Sequence, residues 1–283
     1  MPRIIHAYEN KNQPILPGRK GLVPLTYFNL IKLSKNEEYA YAVPRFETVA
    51  VVLSGTVDIE VAGMQFKHIG QRKDIWSGNA DSVYAPSGEE VSIRCRSSEA
   101  EIAVAGGRFN VTNNSLWSPF RISPDEVLMV DVGSTETHSH RKIYHILGKN
   151  TEGRSGNLLV SELYADPGCW SGYPPHKHDE DQGDIETRFE EVYHYRFDPE
   201  NGFGIQLVFQ ADGKEKLFRT RNRDTVIIDK GYHPTVTSPG HKQYIFTILV
   251  GATTRSLVQN FKEEYRYLMD QIPGIQNMVD HFK

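Results

Sequence analysis

Residues 173–178 read Tyr-Pro-Pro-His-Lys-His, and this short stretch decides the fold. His176 and His178 are two positions apart, and residues two apart on a β-strand point to the same face. Both imidazoles can therefore enter one interior, whereas Lys177 points the other way. The stretch predicts a strand that aims two histidines into a common cavity.

A second strand with a polar interior face follows the histidine pair. Residues 190–197 read Glu-Glu-Val-Tyr-His-Tyr-Arg-Phe. Glu191, Tyr193 and Tyr195 share one face of this strand. A register slip of one residue would exchange Glu191 for Glu190. We choose Glu191 because the two tyrosines then line the cavity.

A third histidine stands at a later turn, where residues 229–234 read Asp-Lys-Gly-Tyr-His-Pro. A histidine pair alone is weak evidence, since most strand histidines lie at the surface or form hydrogen bonds. The pair, the glutamate and the later histidine together make a mixed nitrogen and oxygen set for one divalent cation. Zinc is our first choice, and manganese, iron, cobalt and nickel are chemically permitted. The predicted ligands are His176, His178, Glu191 and His233.

The rest of the chain alternates short strands with turns. Strand-like segments occupy much of residues 48–105 and again of residues 126–250, and Gly and Pro separate them. Strands at this spacing predict antiparallel barrels or sandwiches. A polar stretch at residues 110–123 divides the two series. We interpret the chain as all-β, with two jelly-roll-like barrels in tandem.

The predicted domain limits are residues 1–120, 121–255 and 256–283. The first barrel is expected to bind no metal, because His68 is the only histidine of its strands. Residues 256–271 carry apolar side chains at spacings of three and four, which predicts an amphipathic helix. We expect this tail to cover a barrel edge or a subunit contact. A further pair, His138 and His140, is interpreted as part of a polar loop or rim.

Composition and charge limit the possible functions. The chain has 283 residues and a formal net charge of −4, and its basic residues are scattered. This balance argues against a general nucleic-acid binder. No apolar run reaches the ~18–20 residues that cross a bilayer, and the start of the chain lacks an apolar signal core. Because the chain has two cysteines, we expect a reduced, cytoplasmic protein without a membrane partner.

These segments resemble the cupin superfamily, and two barrels in one chain resemble a bicupin. The narrower resemblance is to the 5-deoxy-glucuronate isomerase family of myo-inositol breakdown. It covers roughly residues 45–252 and extends, more distantly, to the 4-deoxy-5-hexosulose-uronate ketol-isomerases of pectin breakdown. The segments that carry it are residues 53–55, 70–72, 84–88, 170–179, 190–197, 202–204 and 231–234.

The resemblance implies an aldose–ketose isomerase, an intramolecular oxidoreductase that acts on a deoxy sugar acid. It implies a bound metal, zinc in the pectin enzyme, and places His176, His178, Glu191 and His233 on the metal positions. Residues 135–140 and 179–187 depart from the family pattern. Both segments are expected at the pocket rim and bear on which sugar acid is used. Such bicupins often assemble, so we expect a homo-oligomer.

The expected reaction moves a carbonyl between C1 and C2 of an open-chain sugar acid. It proceeds by proton transfer through an enediolate or by a hydride shift. A carboxylate substrate calls for a cationic partner, and its hydroxyls call for polar contacts. The proton-transfer candidates are Tyr193, Tyr195 and Glu190, and the substrate-binding candidates are Arg141, Lys177, Arg196, Gln206 and Tyr244.

Other functions fit the same residues. The chain could be the 4-deoxy-5-hexosulose-uronate isomerase. It could be a cupin dioxygenase, which would hold iron on similar ligands and consume oxygen. It could also be a non-catalytic module that binds a uronate without converting it.

Overall fold

The computed structural model describes residues 2–108 and 117–282, and β-strands dominate this part of the chain. The predicted all-β class is confirmed: the two α-helices of this part are short and lie at the C-terminal end, and short 3₁₀ helices span Pro124–Glu126, Lys149–Thr151 and Glu263–Tyr265. Residues 109–116, which belong to the polar stretch predicted to divide the two series, lie outside the described residues.

The described regular elements from Arg3 to Ile122 are all β-strands. Their bounds are β1 (Arg3–Ile5), β2 (Leu16–Pro17), β3 (Thr26–Ser34), β4 (Glu38–Tyr41), β5 (Phe46–Ser54), β6 (Val57–Val61), β7 (Met64–Ile69), β8 (Asp81–Ala85), β9 (Val91–Cys95), β10 (Glu99–Arg108) and β11 (Phe120–Ile122).

The later elements are strands followed by two helices. Their bounds are β12 (Leu128–Val132), β13 (Arg141–Leu147), β14 (Leu158–Ala165), β15 (Trp170–Ser171), β16 (His176–Lys177), β17 (Phe189–Asp198), β18 (Phe203–Phe209), β19 (Glu215–Arg221), β20 (Thr225–Ile228), β21 (Thr235–Thr237), β22 (Lys242–Gly251), β23 (Asn260–Phe261), α1 (Leu268–Gln271) and α2 (Ile275–Phe282).

The chain forms two compact units, and it passes between them more than once. One unit holds residues 9–128 and 146–159, and the other holds residues 1–8, 129–145 and 160–283. Residues 1–8 join the later strands because β1 pairs with β20. The predicted domain limits at residues 120 and 255 stay a prediction.

The unit of the earlier strands contains two antiparallel sheets. Within the described residues, one sheet has the order β11-β8-β5-β10-β3-β2 and the other β4-β9-β6-β7. Strand β5 is buried along almost its whole length, which explains its run of Val and Ala. Its buried Glu47 accepts hydrogen bonds from the Tyr84 hydroxyl at 2.7 Å and from the backbone N–H of Gly156 at 2.7 Å. Protein donors therefore satisfy this carboxylate.

The other unit is built on a larger sheet. Within the described part of the chain its strand order is β1-β20-β17-β22-β14-β13-β12, and a smaller sheet has the order β15-β21-β18-β19. Strand β17 is buried from Phe189 to Phe197. It lies between β20 and β22, so its backbone is hydrogen-bonded on both sides. A side chain of β17 therefore has a well-defined position. No helix among the described residues is long and apolar enough to span a membrane.

The tail differs from the predicted helix over residues 256–271. The chain instead runs extended, and β23 pairs antiparallel with β16, with His176 opposite Phe261. A short 3₁₀ helix spans Glu263–Tyr265, α1 follows it, and α2 is the longest of the three. Helix α2 buries Ile275, Met278 and Val279, which follow the i, i+3, i+4 spacing. A continuous helix over residues 256–271 is wrong, because Asn260 and Phe261 pair with β16 instead. The predicted short helical tail is confirmed by α1 and α2.

The second histidine pair lies on a turn between β12 and β13. His138 is exposed, with its backbone at a positive φ of 48°. His140 contacts two carboxylates, Asp166 at 2.6 Å and Asp131 at 2.9 Å. Both interactions favour the charged imidazole, and the hydrogen bond to Asp166 is the main reason that the pKa of His140 is raised. The turn is therefore held by a charge pair that depends on pH.

We expect His140 to stabilise the fold in acid more than in base. Because the folded-state pKa is raised above the unfolded value of about 6.5, the full contribution is present below pH 6.5. It is lost as the pH rises through the folded pKa. His140→Gln should lower the free energy of unfolding by about 0.5–1 kcal/mol at pH 6 and by much less at pH 9, since the pair is partly exposed. Urea unfolding at both pH values measures this difference.

The matched control is His138→Gln on the same turn, which should change stability equally at both pH values. A pH-independent loss for His140→Gln would contradict the charged pair.

Candidate metal centre and cavity

Three histidines from two separate segments meet inside the later unit. His176 lies on β16, His178 directly follows it, and His233 lies on the turn between β20 and β21. All three are buried, and one ring nitrogen of each lies within 4.8 Å of the others. The structure thus brings together the three imidazoles that were predicted as ligands.

The backbone sets the orientation of all three imidazoles. In each ring Nδ1 faces a carbonyl oxygen, which only accepts, so Nδ1 donates a proton. In His176 and His233 this leaves Nε2 with its lone pair, whereas His178 Nε2 lies at hydrogen-bond distance from Glu191. This is the arrangement in which proteins present histidine to a metal. The carbonyls belong, in the order His176, His178 and His233, to Pro174 (3.1 Å), Phe189 (3.3 Å) and Gly231 (2.8 Å).

Glu191 completes the group. Its Oε2 lies 3.0 Å from the Nε2 of His178 and 3.0 Å from that of His233. His233 Nε2 is buried and makes no hydrogen bond of acceptable geometry. His178 Nε2 can donate a hydrogen bond to this carboxylate oxygen, whereas His233 Nε2, whose ring donates through Nδ1, meets it with a lone pair. The donor set and the orphaned nitrogen therefore fit a divalent cation.

The electrostatics of the buried group agree with this arrangement. Burial and the neighbouring imidazoles hold the pKa of His176 well below its usual range. Burial alone would raise the pKa of Glu191, but His233 and His178 lower it strongly. Burial would likewise lower the pKa of His178, and the Glu191 carboxylate raises it instead. Glu191 is thus ionised and His176 neutral, as metal ligands must be.

The turn that carries His233 is anchored to the segment that carries His178. Asp179 accepts a hydrogen bond from the Gly231 N–H at 2.9 Å and another from Lys177 Nζ at 2.7 Å. Gly231 has a φ of +97°, and an added Cβ would lie 2.7 Å from the Phe209 carbonyl oxygen. Only glycine fits there without strain. The local backbone therefore requires the glycine that precedes Tyr232 and His233.

Lys177 does not reach the cavity. It points away from the histidines, as predicted from the strand alternation, and contacts Glu186 at 2.8 Å as well as Asp179. Glu186 is fully buried and also accepts the backbone N–H of Asp179 at 2.6 Å. The prediction of Lys177 as a substrate-binding residue is wrong, because its ammonium group is already paired with the carboxylates of Asp179 and Glu186 behind the site.

Tyr195 and Gln206 support the His233 turn. The Tyr195 hydroxyl donates to Gln206 Oε1 at 2.5 Å, and Gln206 Nε2 donates to the carbonyl oxygens of His233 at 2.7 Å and Pro234 at 3.0 Å. Both side chains are completely buried. Their predicted roles in proton transfer and substrate binding are corrected to positioning, because their polar atoms are used in holding the turn.

Three other predicted residues lie on the opposite face of the large sheet. In the β17–β22 register Glu191 faces Leu249 and Tyr193 faces Thr247, whereas Arg196 faces Tyr244. Along β17, Glu190 and Arg196 lie at positions that point to the side opposite Glu191. The Tyr244 hydroxyl donates to Glu162 at 2.9 Å. The placement of these three at the cavity was wrong. Alternation along each strand puts Glu190, Arg196 and Tyr244 on the side away from the histidines.

A cavity adjoins the predicted metal ligands. His176, Glu191 and Tyr193 form part of its wall, and Thr247, Leu249 and Leu257 form an adjacent part. Burial and the Glu191 charge raise the pKa of Tyr193 well above its usual value. Tyr193 is therefore a neutral phenol, which donates a proton more readily than it abstracts one.

Arg141 is the cation of this cavity. Its side chain is 1% exposed and donates to the carbonyl oxygens of Ser139 at 2.8 Å and Tyr173 at 2.8 Å. No carboxylate among the described residues forms an ion pair with it. Burial lowers the pKa of Arg141 to about 10, which keeps it charged at neutral pH. A buried cation without a counter-charge fits an anionic ligand.

The sequence interpretation missed Gln259. Its side chain comes from the tail, lines the same cavity, and lies 2.9 Å from the Nε2 of His176. The available signal was the alternation of Leu257, Gln259 and Phe261, which at a spacing of two fits an extended chain.

Comparison with protein families gives a match over most of the chain. The model of the KduI/IolB family matches residues 7–268. A 5-deoxy-glucuronate isomerase of Lacticaseibacillus casei is 31% identical over an alignment of 257 residues, and the match covers 87% of this chain and 92% of that protein. A protein of the same name from Shouchella clausii is 30% identical and covers 81% of this chain and 83% of its own.

Solved structures give the same result for the fold. An IolB-like protein from Salmonella typhimurium has a TM-score of 0.84 at 27% identity and covers 94% of this chain and 98% of its own. The oxalate decarboxylase of Bacillus subtilis has a TM-score of 0.59 at 13% identity, covering 92% and 78%. The latter likeness concerns the fold alone, and it confirms the predicted cupin architecture.

Proposed function

The chain belongs to the KduI/IolB family, and we propose that it is a metal-dependent isomerase that converts 5-deoxy-glucuronate to 2-deoxy-5-keto-gluconate. One divalent cation would be held by His176, His178, Glu191 and His233. The observation that carries the proposal is the convergence of three imidazole nitrogens and one buried carboxylate beside a cavity. The names of the relatives supply the substrate class.

The cavity divides into parts that suit different groups of a sugar acid. A divalent cation, when bound, supplies Lewis acidity that stabilises negative charge on a neighbouring carbonyl or hydroxyl oxygen. Arg141 would bind the substrate carboxylate, because its charge is buried and lacks a carboxylate partner. Leu249 and Leu257 give the same cavity an apolar part of its wall. The acyclic sugar acid would thus be held at both ends.

Tyr193 is our candidate for the proton donor. It lies next to Glu191 on the cavity face, and its phenol stays protonated at neutral pH. It can donate a proton to the sugar oxygen that becomes negatively charged while a proton is transferred between C1 and C2. Glu190 and Tyr195, the other predicted candidates, do not face the cavity.

We propose zinc as the metal, a cytoplasmic location and a homo-oligomeric state. Imidazole nitrogens with one carboxylate suit zinc, and manganese, iron, cobalt and nickel bind similar sets. Cys95 and Cys169 are buried free thiols, as expected of a reducing compartment. Elemental analysis and light scattering measure the metal and the assembly.

Removal of the metal should abolish the isomerisation. We expect 5-deoxy-glucuronate to be converted by the purified protein, to remain unchanged after chelator treatment, and to be converted again after zinc is restored. Nuclear magnetic resonance of the product mixture measures the conversion. Full activity in metal-free protein would contradict the proposal.

The same incubation separates the rival functions. Conversion of 4-deoxy-5-hexosulose-uronate at a higher kcat/KM would favour the pectin-type isomerase. Oxygen consumption in an oxygen electrode would indicate a dioxygenase. Binding of the sugar acid without any product would indicate a non-catalytic module.

A further inference from the structure

We propose that Gln259 of the C-terminal tail is a substrate-binding residue, whose carboxamide pairs with a hydroxyl of the sugar acid next to His176. The inference rests on the proposed function and deepens it. It would make the tail a part of the active site in addition to a cover for β16.

The side chain of Gln259 is oriented by its neighbour. His176 Nδ1 donates to the Pro174 carbonyl, so His176 Nε2 can only accept. The amide nitrogen of Gln259 therefore faces Nε2, at 2.9 Å, and donates to it. Gln259 Oε1 points elsewhere in the same wall, where it is buried and accepts no hydrogen bond.

A bound cation would change the partners of this amide. The lone pair that accepts the Gln259 N–H is the one that His176 would give to the metal. Once it is given, the amide has a buried donor and a buried acceptor without partners, which is costly. A sugar hydroxyl both donates and accepts, so a polyhydroxylated ligand bound beside the cation satisfies them. An amide nitrogen has no lone pair to offer the cation, so the present orientation favours a substrate contact over a fifth ligand.

The backbone around Gln259 is fixed on both sides, so the amide is preorganised. Before it, the Val258 N–H donates to Thr187 Oγ1 at 2.8 Å, and Thr187 N–H donates to the Val258 carbonyl at 3.1 Å. After it, Asn260 pairs with Lys177, and its side-chain amide donates to Glu186 at 3.0 Å. A side chain held in this way loses little conformational freedom when a ligand binds.

The test is Gln259→Leu, which removes both polar ends and keeps similar bulk. We expect the zinc affinity, measured by chelator competition, to stay within about twofold of the parent, because the four ligands remain. We expect the KM for 5-deoxy-glucuronate and the dissociation constant of D-glucuronate, measured by calorimetry on zinc-loaded protein, to rise about tenfold or more. Gln259→Met is a second variant in case the first folds poorly.

Gln276→Leu is the matched control, since this glutamine is exposed on α2 and bonds only Asp280. It should leave all three quantities unchanged. Unchanged KM and glucuronate affinity in both Gln259 variants would overturn the inference. So would a tenfold loss of zinc affinity, which would make Gln259 a metal ligand. If the parent itself binds no metal and converts no substrate, the proposed function is wrong, and that outcome is distinct from a competent parent matched by its Gln259 variants.

Discussion

His176→Ala is expected to lose its bound metal and at least about a thousandfold in kcat while the protein stays folded. One of four ligands disappears, and the cation can no longer be held in position beside the cavity. The Nε2 of His176 also faces Gln259, so that contact disappears with it. Elemental analysis, steady-state kinetics with 5-deoxy-glucuronate and the thermal unfolding midpoint measure the three effects.

His138→Ala serves as the control for this experiment, because His138 is an exposed histidine on a turn outside the cavity. It should keep its metal and its activity. An active, metal-free His176→Ala protein would show that the four-ligand centre does not take part in the reaction.

Arg141→Leu is expected to reduce kcat/KM by about a hundredfold or more, mainly through KM. A charge-assisted pair with a carboxylate inside a buried site contributes about 3–5 kcal/mol when one partner is removed. Because Arg141 also holds the carbonyls of Ser139 and Tyr173, Arg141→Lys is the gentler variant. It keeps the charge and should lose about tenfold, because the geometry of the guanidinium is lost.

The specificity of the effect can be measured with 5-deoxy-glucose, which lacks the carboxylate. The parent should prefer the sugar acid, and Arg141→Leu should discriminate much less. Arg196→Lys is the matched control, since Arg196 lies on the opposite face of the sheet and bonds His194 at 3.2 Å. Equal effects of the two Arg→Lys changes on KM would contradict a carboxylate site at Arg141.

The orientation of the predicted metal ligands could be read from the sequence because local geometry determines it within each segment. A spacing of two puts His176 and His178 on one face, and the Gly231 turn places His233 at the start of a strand. The choice of Glu191 over Glu190 followed from the tyrosines, and the β17 register agrees with it. The assignment of these side chains as metal ligands stays a prediction for elemental analysis.

The wall of the cavity was less predictable, because it depends on strands that lack alternation. Residues 244–250 form an apolar run buried on both faces, so the sequence does not reveal which face Tyr244 occupies. The helix prediction for residues 256–271 failed for a related reason. Leu257 and Phe261 are four apart, a spacing that fits one face of a helix and also one face of a strand. Tertiary pairing with β16 decided between them.

Strand β1 shields the outer edge of β20, which leads into the His233 turn. The position of β1 is further stabilised by Asp224, which accepts a hydrogen bond from the backbone N–H of Ala7 at 2.9 Å. An unpaired edge is a template for the strand of another molecule. Engineers who shorten the beginning of this polypeptide would therefore risk self-association at the strand that leads into the His233 turn, and a purification tag belongs elsewhere.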